Sequence, residues 1–168
     1  MSGPVYVDTG AWYALQVPDD EWHELAVATL RRLMEGGGAL CTSNLVIGET
    51  YTLLRRTHGH AAAWRFLDIL ERSASLERVH VDAELERQAF AILRRYEDQD
   101  FSFVDGTSFA VMRHRRLRRA FAFDHHFVVL GFTRVPLDEP RASEAVPEPA
   151  PPAVAPRSRS RAPRGRGT

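Results

Sequence analysis

Short apolar runs alternate with longer amphipathic stretches through residues 1–136, and this alternation leaves few folds open to the chain. "VYV" (5–7), "ALCT" (39–42), "LERVHV" (76–81), "RAFAF" (119–123) and "GFTRVP" (131–136) are short and apolar, as buried strands are. Helical segments separate them. "EWHELAVATLRRLMEGGG" (21–38) sets Leu25, Ala28 and Leu33 near one face and stops at three glycines. Ser43 is a natural N-cap for a helix through Arg56. In "AAAWRFLDILERSA" (61–74), Trp64, Leu67 and Leu70 or Glu71 fall on successive turns. Asp82 caps a helix carrying Leu85, Ala89, Ile92 and Leu93 at helical period, and Ser102 caps another that ends near Arg115. Helices long enough to cross over between strands predict an α/β fold with a mostly parallel central sheet and helices on both faces.

Beyond residue 136 the pattern stops. "EAVPEPAPPAVAPRSRSRAPRGRGT" is rich in Pro, Ala and Arg and has no aromatic residue. Such a segment buries too little apolar surface to offset its ordering entropy, so residues 137–168 are expected to be a disordered tail behind a domain spanning 1–136. Every basic residue is Arg, and the net charge of zero divides into an acidic domain and a basic tail. No apolar run approaches the roughly 18 residues of a membrane span. The N-terminus lacks a basic segment leading into an apolar one. Cys41 is the only cysteine, set in apolar "ALCTS", so a small buried side chain in a reducing cytoplasm is expected, with no membrane partner.

The first strand runs directly into "DTG", the tripeptide with which aspartic proteases present a catalytic carboxylate. Those enzymes pair two such motifs in a β-rich scaffold, whereas this chain has one motif among helices. In an open α/β sheet, ligands bind beyond the carboxyl ends of the strands. Asp8 follows the first strand there and Asp124 follows the fourth. Glu49 lies in the helix after the second strand, and Asp105 in the first turn of the helix before the fourth. Should the first and fourth strands be neighbours, these four acids converge on one sheet edge. Each also has a plain structural role open to it: caps for Asp8 and Asp124, an exposed helical position for Glu49, a helix-dipole complement for Asp105. The apolar surroundings "FSFVDGTSFAVM" and "LVIGETYTLL" make those plain roles costly for Asp105 and Glu49. A divalent cation relieves crowded carboxylates, and all-oxygen ligation suits Mg²⁺, or Mn²⁺.

Taken in order, "VDTGAW", "NLVIGETYTLL", "FSFVDGTSFAVM" and "AFAFDHHF…GF" resemble the blocks of a PIN-domain ribonuclease of the VapC toxin type, over residues 4–136. The resemblance implies an acidic quartet of Asp8, Glu49, Asp105 and Asp124 and Mg²⁺-dependent endonucleolytic cleavage of RNA. It also implies an antitoxin protein as partner; a homodimer is the expected assembly. Asp8 and Asp105 are expected as direct metal ligands, with Glu49 and Asp124 acting through water, a second ion or the nucleophile. Two positions depart from the family pattern. Gly10 stands where Ser is frequent, and Ala122 where a Thr or Ser often precedes the fourth acid, so two hydroxyls that order metal or water are missing. Thr9 is placed to supply one.

Around this quartet, Asp100 and His126 are candidate outer members of the site, the latter against a plain helix-start role for "DHHF". The stretch "RHRRLRR" (113–119) offers Arg113, Arg115 and Arg116 to RNA phosphates, or is simply a solvated helix end favoured by the dipole. The competing function is a catalytically weak scaffold of the same fold that binds RNA or protein. A phosphatase using Asp8 as nucleophile usually needs a second Asp two residues on, where Gly10 stands.

Overall fold

The computed structural model describes residues 3–139. Five strands, β1 (Val5–Val7), β2 (Leu40–Ser43), β3 (Leu76–Val79), β4 (Arg119–Phe121) and β5 (Thr133–Val135), form one sheet in the order β3-β2-β1-β4-β5. Every pairing is parallel. Seven helices connect them: α1 (Thr9–Gln16), α2 (His23–Glu35), α3 (Asn44–Thr57), α4 (Gly59–Arg72), α5 (Ala83–Arg95), α6 (Phe103–His114) and the single turn α7 (His126–Val129). The expected α/β architecture with a parallel sheet is therefore present.

Burial explains the arrangement. All three residues of β1 and all four of β2 are buried, which requires cover on both faces because alternate side chains point oppositely. Helices supply that cover around a core that includes Tyr6, Phe66, Phe109, Phe121 and Phe127, all fully buried. The central pair matters most. Tyr6 pairs with Ala120 and Val7 with Phe121, and the Asp8 amide continues the ladder to the Phe121 carbonyl at 3.1 Å. The chain builds outward from β1 through β2 to β3, then returns to add β4 and β5 on the other side. The strand order reverses between β1 and β4, where open sheets leave a crevice.

Capping follows the sequence at three helices. Ser43 Oγ accepts from Val46 N at 3.2 Å, Asp82 Oδ1 from Glu84 N and Leu85 N at 3.0 and 2.9 Å, and Ser102 Oγ from Asp105 N at 3.0 Å. Two helix faces differ from expectation. In α2 the buried positions are Ala26, Thr29 and Leu33, while Leu25 is 36% exposed. In α4 they are Ala62, Ala63, Phe66 and Leu70, while Trp64 is 56% exposed and stacks on His60. In both, small side chains let the helix approach its neighbours; Leu25 and Trp64, chosen from the sequence, are turned outward, while Leu33 and Leu70 face the core as expected. The helices α1 and α7 were not among the expected elements; each is short and begins directly after a strand-end segment.

Just beyond Pro136, two acids pair with the domain's arginines. Glu139 bridges Arg32 of α2 and Arg119 of β4, both at 2.6 Å, and Asp138 pairs with Arg134 at 3.0 Å. Burial opposes ionisation of Glu139, but the two arginines outweigh it and hold its carboxyl below the ordinary value. The rest of the expected tail, residues 140–168, lies outside the described residues.

Candidate active site

Asp8 is the N-cap residue of α1. It is buried, at 7% exposure, at the carboxyl end of β1. Burial, then the charge of Asp105 and, more weakly, that of Glu49 push its carboxyl from 3.8 up to about 7, against backbone hydrogen bonds from Thr9 and Gly10. Asp8 is thus the most confined carboxylate of the group, a place that sequence context had suggested for Asp105 and Glu49.

The other acids surround a cavity of about 460 Å³ that Asp8 lines together with Thr9, Glu49, Asp105, Asp124 and His126. Glu49 reaches it from α3, where the Thr9 hydroxyl donates to Glu49 Oε2 at 2.5 Å. Asp105 is fixed by a reciprocal cap. Its Oδ2 accepts from Ser102 N at 2.7 Å while Ser102 Oγ accepts from its own amide, so the plain capping role and the place in the cavity belong to the same side chain. Asp124 stands after β4 with a side chain 47% exposed, and its Oδ1 accepts from His126 N at 2.8 Å. His126 Nδ1 lies 3.3 Å from both Asp105 Oδ2 and Asp124 Oδ1, so the imidazole sits between two of the four acids. Phe101 packs edge-on against its ring, with centroids 5.0 Å apart. Asp100 is exposed and lines the cavity as well.

The structure brings Asp8, Thr9, Glu49, Asp100, Asp105, Asp124 and His126 to one cavity, and Gly10 joins them. Ala122 is fully buried and does not line the cavity. Leu53 and Ser102 also line the cavity and were not proposed for it. Leu53 had a readable signal, since it follows Glu49 by four residues and so shares its helix face. The arginines do not join the site. Arg113 lies near the carboxyl end of α6, Arg115 pairs with Glu77 at 2.6 Å, and Arg116 follows in the loop before β4, whereas Asp105 is in the first turn of α6. Helix α6 carries the acid at one end and the bases at the other.

Donor chemistry fits a hard divalent cation. Carboxylate oxygens, the ligands such ions take, line the cavity, and burial first, then the charges of Asp105 and Glu49, make ionised Asp8 costly, a cost that a cation would relieve. Among the described residues, no three acidic or histidine side chains already stand as a metal cage.

Residues 5–133 match the PIN domain family. Over 133 residues the chain is 44% identical to the 23S rRNA-specific endonuclease VapC20 of Mycobacterium tuberculosis, in strains CDC 1551 / Oshkosh and ATCC 25618 / H37Rv. That similarity covers 78% of this chain and 97% of the relative. The crystal structure of Mycobacterium tuberculosis VapC20, described as a sarcin-ricin loop cleaving toxin, superposes with a TM-score of 0.69 at 42% identity, covering 77% of this chain and 96% of that one.

Proposed function

The chain belongs to the PIN domain family, and from that membership we propose that it is an endoribonuclease, the toxin of a toxin–antitoxin pair, whose substrate is 23S ribosomal RNA. One observation carries the reading: four carboxylates from four separate elements line a single cavity at the strand-order reversal. The similarity to VapC20 covers 78% of this chain and 97% of that relative, so the substrate in the relative's name is the first to test here.

Nucleases of this family work with divalent metal ions, and Mg²⁺ is the one proposed, with Mn²⁺ as substitute. Asp8 and Asp105 would hold it, with Glu49 and Asp124 completing the surroundings. Bound there, the ion would supply charge stabilisation at the phosphate and a more acidic water. The chain's own groups do the positioning. Thr9 fixes the Glu49 carboxylate, Ser102 fixes that of Asp105, and His126 separates Asp105 from Asp124. Half-exposed Asp124 is the acid best placed to accept a proton from water attacking the phosphorus, while the strand's 3′ oxygen leaves.

For the partners, we place an antitoxin segment in the apolar groove of about 870 Å³ along α3, which shares Glu49 and Leu53 with the cavity. A chain laid there would block substrate entry. The exposed Phe90–Phe103 pair, with ring centroids 6.0 Å apart, supports burial against a second copy of the chain. No helix among the described residues is long and apolar enough to cross a membrane, and the cytoplasm is the proposed location.

The test is digestion of total bacterial RNA by the purified chain, with Mg²⁺ or with EDTA, beside Asp105→Asn. A discrete cut in 23S rRNA that needs Mg²⁺ and Asp105 is the expected result. Cleavage in EDTA sinks the metal site, and scattered cleavage sinks the ribosomal assignment. No cleavage under any condition returns the chain to an RNA- or protein-binding scaffold.

A further inference from the structure

Strand β4, which is followed by Asp124 at its carboxyl end, is preceded by arginines at its amino end. A hollow of about 450 Å³ lies there, lined by Gly3 and Pro4 before β1, by Arg115, Arg116, Arg118 and Arg119 at the entry to β4, and by Glu77. The arginines are not equivalent. Arg115 is neutralised by Glu77 at 2.6 Å, and Arg119 by Glu139. Arg116 and Arg118 are exposed, and their guanidiniums have no ion pair or hydrogen bond among the described residues. Arg116 takes a left-handed backbone, φ 55°, which turns the chain tightly between α6 and β4 and keeps four arginines within six residues of one another. Helix dipole complementarity accounts for bases at the end of α6, but not for two uncompensated guanidiniums lining one concave surface.

We propose that this hollow is a second RNA-binding site, a phosphate-backbone anchor at the pole opposite the carboxylate cavity, centred on Arg116 and Arg118. The identification of its ligand rests on the reading of the chain as a ribonuclease. Guanidiniums in a concave site suit phosphate oxygens, which they meet with paired N–H donors. A chain of zero net charge also needs such a place. The acid-lined cavity repels RNA wherever a cation does not screen it, so affinity for the flanking strand must come from elsewhere. The spacing sets the ligand's size. From Arg119 to Asp124 the chain advances about 16 Å at about 3.3 Å per residue. Duplex RNA strands advance by a similar few ångströms per phosphate, about 3.4 Å in B-DNA, so at least four or five nucleotides are needed to touch both poles. Small fragments reach only one. A folded RNA reaches both, and the anchor therefore selects for large structured substrates without reading their sequence.

Binding by the full chain in EDTA, where nothing is cut, separates this anchor from the nuclease reading. Fluorescence anisotropy is read across a salt series with a long RNA hairpin and with a tetranucleotide. For Arg116→Gln/Arg118→Gln, hairpin affinity should fall on the order of tenfold and the log–log salt slope should shrink by roughly 1.4–1.8, one phosphate contact per guanidinium, and the weaker tetranucleotide binding, which in EDTA has only the hollow to hold it, should fall as well. Glu77→Gln frees Arg115 and should tighten hairpin binding and steepen the slope, which guards against a double variant that merely unfolds. An unchanged slope in both variants overturns the proposal. So does weakened binding of polyglutamate with hairpin binding intact, which would assign the hollow to an acidic protein instead. A chain that binds through the hollow but cleaves no RNA would refute the nuclease reading and leave the anchor standing.

Discussion

Replacing Asp8 by Asn removes a charge that the fold makes costly, so the metal-free variant should be more stable than the wild type while losing its chemistry. Folding lifts the Asp8 carboxyl from 3.8 to about 7 through burial and the charges of Asp105 and Glu49. A rise of that size corresponds to about 4 kcal/mol at about 1.4 kcal/mol per pH unit. The direction is set by which state holds the proton. The folded chain keeps it up to about pH 7, while the unfolded chain releases it from about pH 4. The stability from this group is full below the unfolded value and drains away as pH rises through the folded one. Asn cannot ionise in either state, so the gap between variant and wild type should open from about pH 4 and level off above about pH 7. The amide forfeits charge in the bonds from Thr9 and Gly10, which leaves a net gain of about 2 kcal/mol, or roughly 4–10 °C in Tm. Thermal melts in EDTA from about pH 4 to pH 8.5 measure it. Added Mg²⁺ should raise the wild-type Tm and move the variant much less. A stability gap of constant size across the pH range would refute the reasoning, as would a variant that still cleaves RNA.

Three further outcomes follow from individual contacts. Thr9→Val deletes the hydroxyl that holds Glu49, so cleavage should fall on the order of tenfold with little change in Tm, whereas Thr9→Ser should restore most of it. Ending the chain after Pro136 removes the carboxylate shared by Arg32 and Arg119 and should cost about 1–2 kcal/mol, while ending it after Glu139 should leave the melt unchanged, since the PIN match ends at residue 133. Equal melts for both truncations would return the boundary to 136. Gly106→Ala puts a methyl 2.8 Å from Leu93 Cγ at the contact between α5 and α6 and should destabilise by about 1–3 kcal/mol; Leu93→Ala in the same chain should recover part of that loss, as chemical denaturation would show.

The sequence alone determined the kinds of element and the identity of the acids. Strand runs such as "VYV" and caps such as Ser43, Asp82 and Ser102 act over a few residues, so local chemistry is enough to place them. The four acids, two after strands, Asp105 at a helix start and Glu49 inside a helix, were legible for the same reason. Which helix face turns inward was not, because Leu25 and Trp64 are apolar yet face solvent, and only contact with neighbouring helices selects Ala26 and Phe66 in their place. The ranking of the acids was likewise tertiary. Asp8 becomes the confined one because β4 and α6 close over the end of β1, and no local pattern encodes a neighbour 97 residues away in Asp105. The arginines were visible as a run, but their distance from the acids was not. It follows from a parallel sheet, in which strands β1 and β4 point the same way and a residue before a strand and a residue after it are held at opposite poles.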